Sequence, residues 1–272
     1  MSFSFLALLD DVASVLDDGA VLSKTATQKT LGVVGDEIAL NADQLVGPSP
    51  EREIPVVVKV TIGSLKNKVI LVPVALALSY FLPWLIMPLL MIGGSFLCYE
   101  GIEKIVSFVK RKENINIPVE VITEDEKIKN AIKTDLVLST EIIVIALGVV
   151  SGKPFIQQVI SLSIVAIILT FGVYGLVALI IKFDDFGLYL TKKEITKKIG
   201  FTILRVAPYL LKCVGFVGTW AMLLVGGGIL AHILHLQFNS VFSIFIETAL
   251  GSLIGILLFI VVKIFLKIRK RI

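Results

Sequence analysis

Long apolar runs separated by short charged stretches set the pattern of this chain. The runs cover 69–97, 142–181 (interrupted by Lys153) and 213–230, with a last one near the C-terminal end. Continuous runs of this length read as membrane helices, because membrane strands give short alternating segments instead. Six spans follow. The first, 69–81, is short and contains Pro73. The second, 85–106, comes after the turn Leu82-Pro83-Trp84. The others are 135–150, also short, then 154–181, 203–234 with Pro208 near its start, and 241–266. Hydropathy leaves open whether the two short spans cross fully or are re-entrant. The expected fold class is all-α, a polytopic helical membrane protein of about six transmembrane helices.

The first 68 residues break this pattern. Asp10, Asp11, Asp17 and Asp18 fall on one helical face, and Leu9, Val12, Ala13, Leu16 and Ala20 line the other. A second amphipathic stretch covers 33–42, and Pro48 and Pro50 follow. The expected division is therefore 1–68, a cytoplasmic or membrane-surface amphipathic segment, and 69–272, the transmembrane bundle. The aspartates fit a solvated helix face. A start with four aspartates and no Lys or Arg in twenty residues does not read as a cleavable signal.

Composition sharpens the class. Of 272 residues, 56% are hydrophobic and the mean hydropathy is +0.92, which excludes a soluble globular domain. The net charge of +4 is gathered at the ends of the apolar runs, so it marks a membrane protein and not a nucleic-acid binder. The basic residues cluster in 104–133, 182–198 and 263–271, whereas the alternate loops offer only Lys153. Basic loops stay in the cytoplasm, and six spans then leave both termini there.

The charges inside the apolar layer are the candidate chemistry. An acid at the bilayer centre costs at least ~2.5–3.5 kcal/mol, so a chain that keeps one turns it inward. Asp135 and Glu141 open the third span. Six residues apart, they point about 120° away from one another, and Glu141 shares its face with Leu138 and Ile145. They form a cation or proton site, metal candidates included, or else Asp135 caps a helix and Glu141 pairs with a structural lysine. Glu247 has no basic neighbour in sequence and needs a partner from another helix, or a proton. Lys212 is a candidate buried counter-charge. Glu100, Lys182, Asp184 and Asp185 stand at the cytoplasmic mouth, Glu100 with Lys104 four residues on as a helix-surface pair.

Other features are weaker. His232 and His235, three apart, could bind a metal or sense pH, or simply face water. Cys98 and Cys213 both lie in apolar runs, as small buried hydrophobes rather than a disulfide. Gly93-Gly94 and Gly226-Gly227-Gly228 echo one another, each about twenty residues after a proline. That suggests either pseudo-symmetric halves, as in transporters, or glycines that let helices pack closely. No phosphate loop, nucleophile elbow or zinc-protease helix is present, so neither an enzyme nor a cofactor is expected.

Several stretches together match a known family. They include Leu9–Ala13, Gly35–Ala42, Arg52–Val57, Gly63–Lys68, Pro88–Gly94, Leu97–Gly101, Thr134-Asp135 and Lys182–Asp185. Over nearly its whole length the chain resembles the YedI-type proteins of the bacterial inner membrane, the "domain of unknown function 808" family. The resemblance implies that location and no activity. Leu138–Ala146 is also loosely similar to the Leu-Ser-x-Asp-Asn segment of TerC-type metal exporters, with Glu141 for the Asp and Ile142 for the Asn, which favours a divalent cation. The expected function is an inner-membrane transporter or channel for a cation; the alternative is a scaffold whose N-terminal segment binds a partner. Convergence of the acids on one cavity favours the first, separate lysine partners the second. The expected partners are the lipid bilayer, a cation and, in a homo-oligomer, other copies of the chain.

Overall fold

The computed structural model describes residues 2–45, 50–111, 123–191, 197–234, 236 and 243–269, without the side chains of 2–11, 32, 43, 50, 51, 110, 111, 184, 207, 208 and 211. Among the described residues the secondary structure is entirely helical: α1 (Ser2–Leu45), α2 (Pro50–Phe81), α3 (Ile86–Arg111), α4 (Glu124–Val150), α5 (Phe155–Thr191), α6 (Lys197–Ile233) and α7 (Ser243–Arg269), with a 3₁₀ turn at Pro83–Leu85. The all-α membrane class is what the apolar runs predict. Among the described residues, five segments are long and apolar enough to cross a membrane, at Arg52–Phe81, Pro83–Val109, Phe155–Thr191, Lys212–Ile233 and Ser243–Arg269.

The two short spans are the second halves of longer helices. Span 69–81 continues a helix that begins at Pro50, and span 135–150 one that begins at Glu124. Pro55 and Pro73 are carried inside α2 without ending it. The start of α4 is fixed by a capping box, in which the Thr123 side chain accepts from the Glu126 amide while the Glu126 carboxylate accepts from the Thr123 amide. The proposed boundary at residue 68 falls inside α2, so it does not coincide with a break in the chain's structure.

Contacts between the helices give their directions. α1 runs alongside α5 in the same sense: the Ser161 hydroxyl donates to the Gly19 carbonyl (3.0 Å), and further on Glu37 lies near Tyr174. α2 and α4 are also parallel, from Arg52 on Glu124 to Lys68 on Ser139. α3 and α7 are parallel, with Gly255 against Cys98 and Tyr99 against Phe259. α6 is antiparallel to α1 (Gly35 on Gly218, Ala39 on Gly215) and to α7 (Gly227 on Glu247, Leu223 on Gly251). The seven helices therefore alternate up and down. One end, the basic end, gathers the C-terminal ends of α1, α3, α5 and α7 with the starts of α2, α4 and α6.

This alternation places the start of α1 and the end of α7 at opposite ends of the bundle, not on one side as six spans require. α1 is not one of the five apolar segments, yet it runs through the bundle beside them. From Gly19 to Leu45 it covers about 40 Å, more than a ~30 Å hydrocarbon core, and it packs among α4, α5 and α6. Its charges hide it from a hydropathy reading because several of them are buried: Asp36 and Glu37 lie in the interior with Thr30 and Asn41. α6 meets α1 through Gly218, where a Cβ would come within 2.5 Å of the Asp36 amide nitrogen.

Outward faces carry the large apolar side chains, among them Ile70, Val74, Phe96, Phe171, Leu179, Leu253 and Phe265. On a soluble protein such a surface would aggregate; against lipid it costs nothing. At the end away from the basic loops, Tyr80 stacks edge-on to Phe81 and Phe155 (centroids 5.0 and 5.6 Å), with Trp84 exposed nearby in sequence. The two glycine-rich stretches meet: Gly94 packs on Gly226, and a Cβ at Gly227 or Gly251 would overlap a backbone carbonyl of the facing helix. Close packing of α3, α6 and α7 is thus one thing these glycines do.

Candidate functional site

Asp135 and Glu141 occupy two different polar clusters, as their angular separation on α4 dictates. Asp135 lies mid-helix, so it does not cap α4; Thr123 does. It is fully buried (0% exposed) between α2, α4 and α5. The Ser64 hydroxyl (2.6 Å) and the Tyr174 hydroxyl (2.9 Å) donate to its Oδ1, and the Asn67 amide donates to its Oδ2 (2.8 Å). The ammonium of Lys68, itself 2% exposed, lies 3.6 Å from Oδ1 and donates to the hydroxyls of Ser64 (2.8 Å) and Ser139 (2.9 Å). Each charge in this pair is solvated by protein donors and acceptors, which is what a buried ion pair needs to survive. Donors already hold both Asp135 oxygens, so its candidacy as a metal ligand is not supported by this arrangement.

Glu141 lies on the other side of α4. Both of its carboxylate oxygens are buried and have no hydrogen-bond partner among the described residues. The charges nearest to it are Glu100 and Lys104 of α3 and Asp36 of α1. Lys104 ties these together: its ammonium binds the Asp36 carboxylate in a very short contact and Glu100 Oε1 at 2.9 Å, while Glu100 Oε2 is left without a partner. Two carboxylates thus hold one ammonium, and Glu141 is a third acid close enough to feel their charge.

Two openings flank this cluster. A cleft of about 570 Å³ opens toward the end away from the basic loops, lined by Lys29 of α1, Met87 and Leu90 of α3, Ile145 and Gly148 of α4, His232 of α6 and Glu247 of α7. A second pocket of about 390 Å³ lies toward the basic end, lined by Leu40, Phe96, Glu100, Lys133, Thr134 and Leu138. Leu138 and Ile145 are the two residues that share a helical face with Glu141. On α4, then, the orphan carboxylate stands one turn from each opening, along a seam between α1, α3 and α4.

The other candidates divide. Glu247 lies in the larger cleft, and Glu100 in the smaller pocket. Lys212 is exposed, with its ammonium 5.8 Å from the Tyr209 ring, so it is not the counter-charge of a buried acid. Lys68 and Lys104 take that role, because they sit on the inward faces of α2 and α3. Lys182 pairs closely with Asp185 near the basic end of α5; the side chain of Asp184 lies outside the described residues. His232 is exposed in the cleft, and His235 is not described. Cys98 is buried and Cys213 exposed, both as free thiols. Among the described residues, no group of three or more His, Cys, Asp or Glu side chains could hold a metal ion.

Outside the spans, the exposed Glu124 carboxylate at the start of α4 is bound by Arg52 (3.0 Å), which, through that hydrogen bond first, holds it below the usual carboxylate range.

Sequence reasoning missed Lys68, Asp36, Glu37, Ser64 and Tyr174 as site residues. A signal was present for four of them: all but Tyr174 fall in the stretches Gly35–Ala42 and Gly63–Lys68 that carry the family resemblance.

An all-helical polytopic membrane protein with two charged clusters inside its bundle is the class these features define. The chain belongs to the family described as "Protein of unknown function (DUF808)", whose family model matches residues 3–266. No curated protein and no solved structure matches the chain, so the likeness of Leu138–Ala146 to TerC-type exporters rests on that segment alone.

Proposed function

We propose that this protein is a cation transporter or channel of the bacterial inner membrane, with its path along the seam of α1, α3 and α4. The observation that carries this reading is Glu141: two buried carboxylate oxygens without a partner among the described residues, between openings toward opposite ends of the bundle. An uncompensated acid at such a depth is costly, and a passing cation or a proton relieves that cost. Glu247 in the cleft, Glu141 midway and Glu100 in the opposite pocket mark successive stations. Lys104 holds Asp36 and Glu100 in place while leaving the cluster net negative, which attracts cations and repels anions. The basic end faces the cytoplasm on charge grounds; α1 then begins on the far side, and only the C-terminal tail is cytoplasmic.

The test is flux in vesicles reconstituted with purified protein, across monovalent and divalent cations. Glu141→Gln keeps the shape and removes the charge, so it should abolish flux while the protein still folds. Equal flux in both proteins refutes the path. A second reading, a non-transporting scaffold, is favoured by the Lys68–Asp135 pair, in which each charge has its own partners. It predicts no flux of any cation in the wild-type protein.

A further inference from the structure

Glu37 plays no part in the seam. It follows Asp36 on α1 but turns to the other side of the helix, toward Lys68 and Asp135. It is 0% exposed, and neither of its carboxylate oxygens has a hydrogen-bond partner among the described residues. The groups that face it are Lys68 from α2, Asp135 from α4 and Tyr174 from α5, with Asp36 on its own helix. On the side of α6, this stretch of α1 meets the glycines Gly215 and Gly218. The carboxyl groups of Glu37 and Asp135 are near enough to share a hydrogen bond once one of them carries a proton.

Charge balance decides the state of this cluster. Two carboxylates face one ammonium in a site closed to solvent. A buried charge left unpaired costs far more than a proton taken up to neutralise it. Asp135 is already solvated by three donors and Lys68, whereas Glu37 has none.

The route to Glu37 is also marked. Asn41 and Gln44 follow it at spacings of four and three, on one stripe of α1 that leads to the basic end. Asn41 is 1% exposed and both polar atoms of its amide lack a partner among the described residues, as does Oε1 of Gln44. Orphan amides in a native interior are the usual partners of ordered water. In the other direction the stripe turns apolar next to Glu37, at the buried Val33 and Val34, and beyond them the Thr30 hydroxyl donates back to the Thr27 carbonyl (2.9 Å).

We propose that Glu37 is a proton-binding site, holding at neutral pH one proton shared with Asp135, which enters from the basic end through water bound at Gln44 and Asn41. The proton passes from that water to a Glu37 oxygen and leaves the same way; no bond to carbon changes. The site is separate from the Glu141 seam and stands whether or not the seam carries a cation.

Infrared spectroscopy of the purified full-length protein tests this, through the C=O stretch of a protonated carboxyl. The measurement is made on a Glu141→Gln background, so that Glu141 contributes nothing and the outcome does not depend on transport. A carboxyl band at neutral pH is expected, lost in Glu37→Gln and displaced in Glu37→Asp. The second variant keeps an acid and guards against misfolding of the first. In heavy water the band should shift quickly, and at least tenfold more slowly in Asn41→Leu with Gln44→Leu. Absence of the band, or its persistence unchanged in both Glu37 variants, overturns the proton site. A shift as fast in the double leucine variant as in its parent overturns the route.

Discussion

Two acids six residues apart on one helix meet opposite fates. Asp135 accepts from Ser64, Tyr174 and Asn67, and Lys68 lies beside it. Glu141 is less deeply buried, yet its two carboxylate oxygens are enclosed and have no hydrogen-bond partner among the described residues. A satisfied buried charge is part of the architecture, because its desolvation has been offset by fixed partners. An unsatisfied one marks a place where water, a proton or a cation must come and go. The comparison turns a list of intramembrane acids into two kinds of site.

The largest effect should come from the satisfied side. Lys68→Met leaves Asp135 buried without its counter-charge and should cost about 3–5 kcal/mol, read as the loss of stability in a denaturant titration in detergent. A change under ~1 kcal/mol would show that the pair is solvated by water and would collapse the contrast. Next is Tyr174→Phe, which removes one hydrogen bond to a charged group, worth about 1.5–3 kcal/mol. On the unsatisfied side, Glu141→Gln should alter stability by less than ~1 kcal/mol, since it breaks no hydrogen bond; a loss comparable to that of Lys68→Met would make Glu141 architectural too. The smallest effect belongs to the rim. Arg52 lowers the Glu124 pKa, so the contribution of that pair is present above the normal glutamate pKa and fades as pH falls through the lowered value. Because Glu124 is exposed, Arg52→Ala should leave the midpoint at neutral pH almost unmoved and merely flatten its acid dependence.

What the sequence made legible follows the same division. Helices whose charged residues lie outside the apolar runs could be read directly, as with α5. The facing of Glu141 with Leu138 and Ile145 followed from helical geometry alone, and those two residues do line the openings beside it. What escaped were the buried polar partners that lie outside the apolar runs. Lys68 stood at the border of an apolar run and was counted with the surface, and Asp36 and Glu37 made α1 look amphipathic. Hydropathy sums residues one at a time, so it scores a lysine locked against Asp135 as if it were in water. The boundary placed at residue 68 is the result: it divides α2 at the lysine on which the interior is built.

The position of α1 has a consequence for how the protein is made. It is synthesised before the other six helices, whereas its neighbours α4, α5 and α6 begin only at Glu124, Phe155 and Lys197. Asp36 has to wait for Lys104, and Glu37 for Lys68. Until then its interior face is too polar to be held by lipid. The interior face of α1 is therefore complete only after helices made later have packed against it. A chain cut after Arg111 should then leave α1 open to protease, whereas in the full chain it is protected.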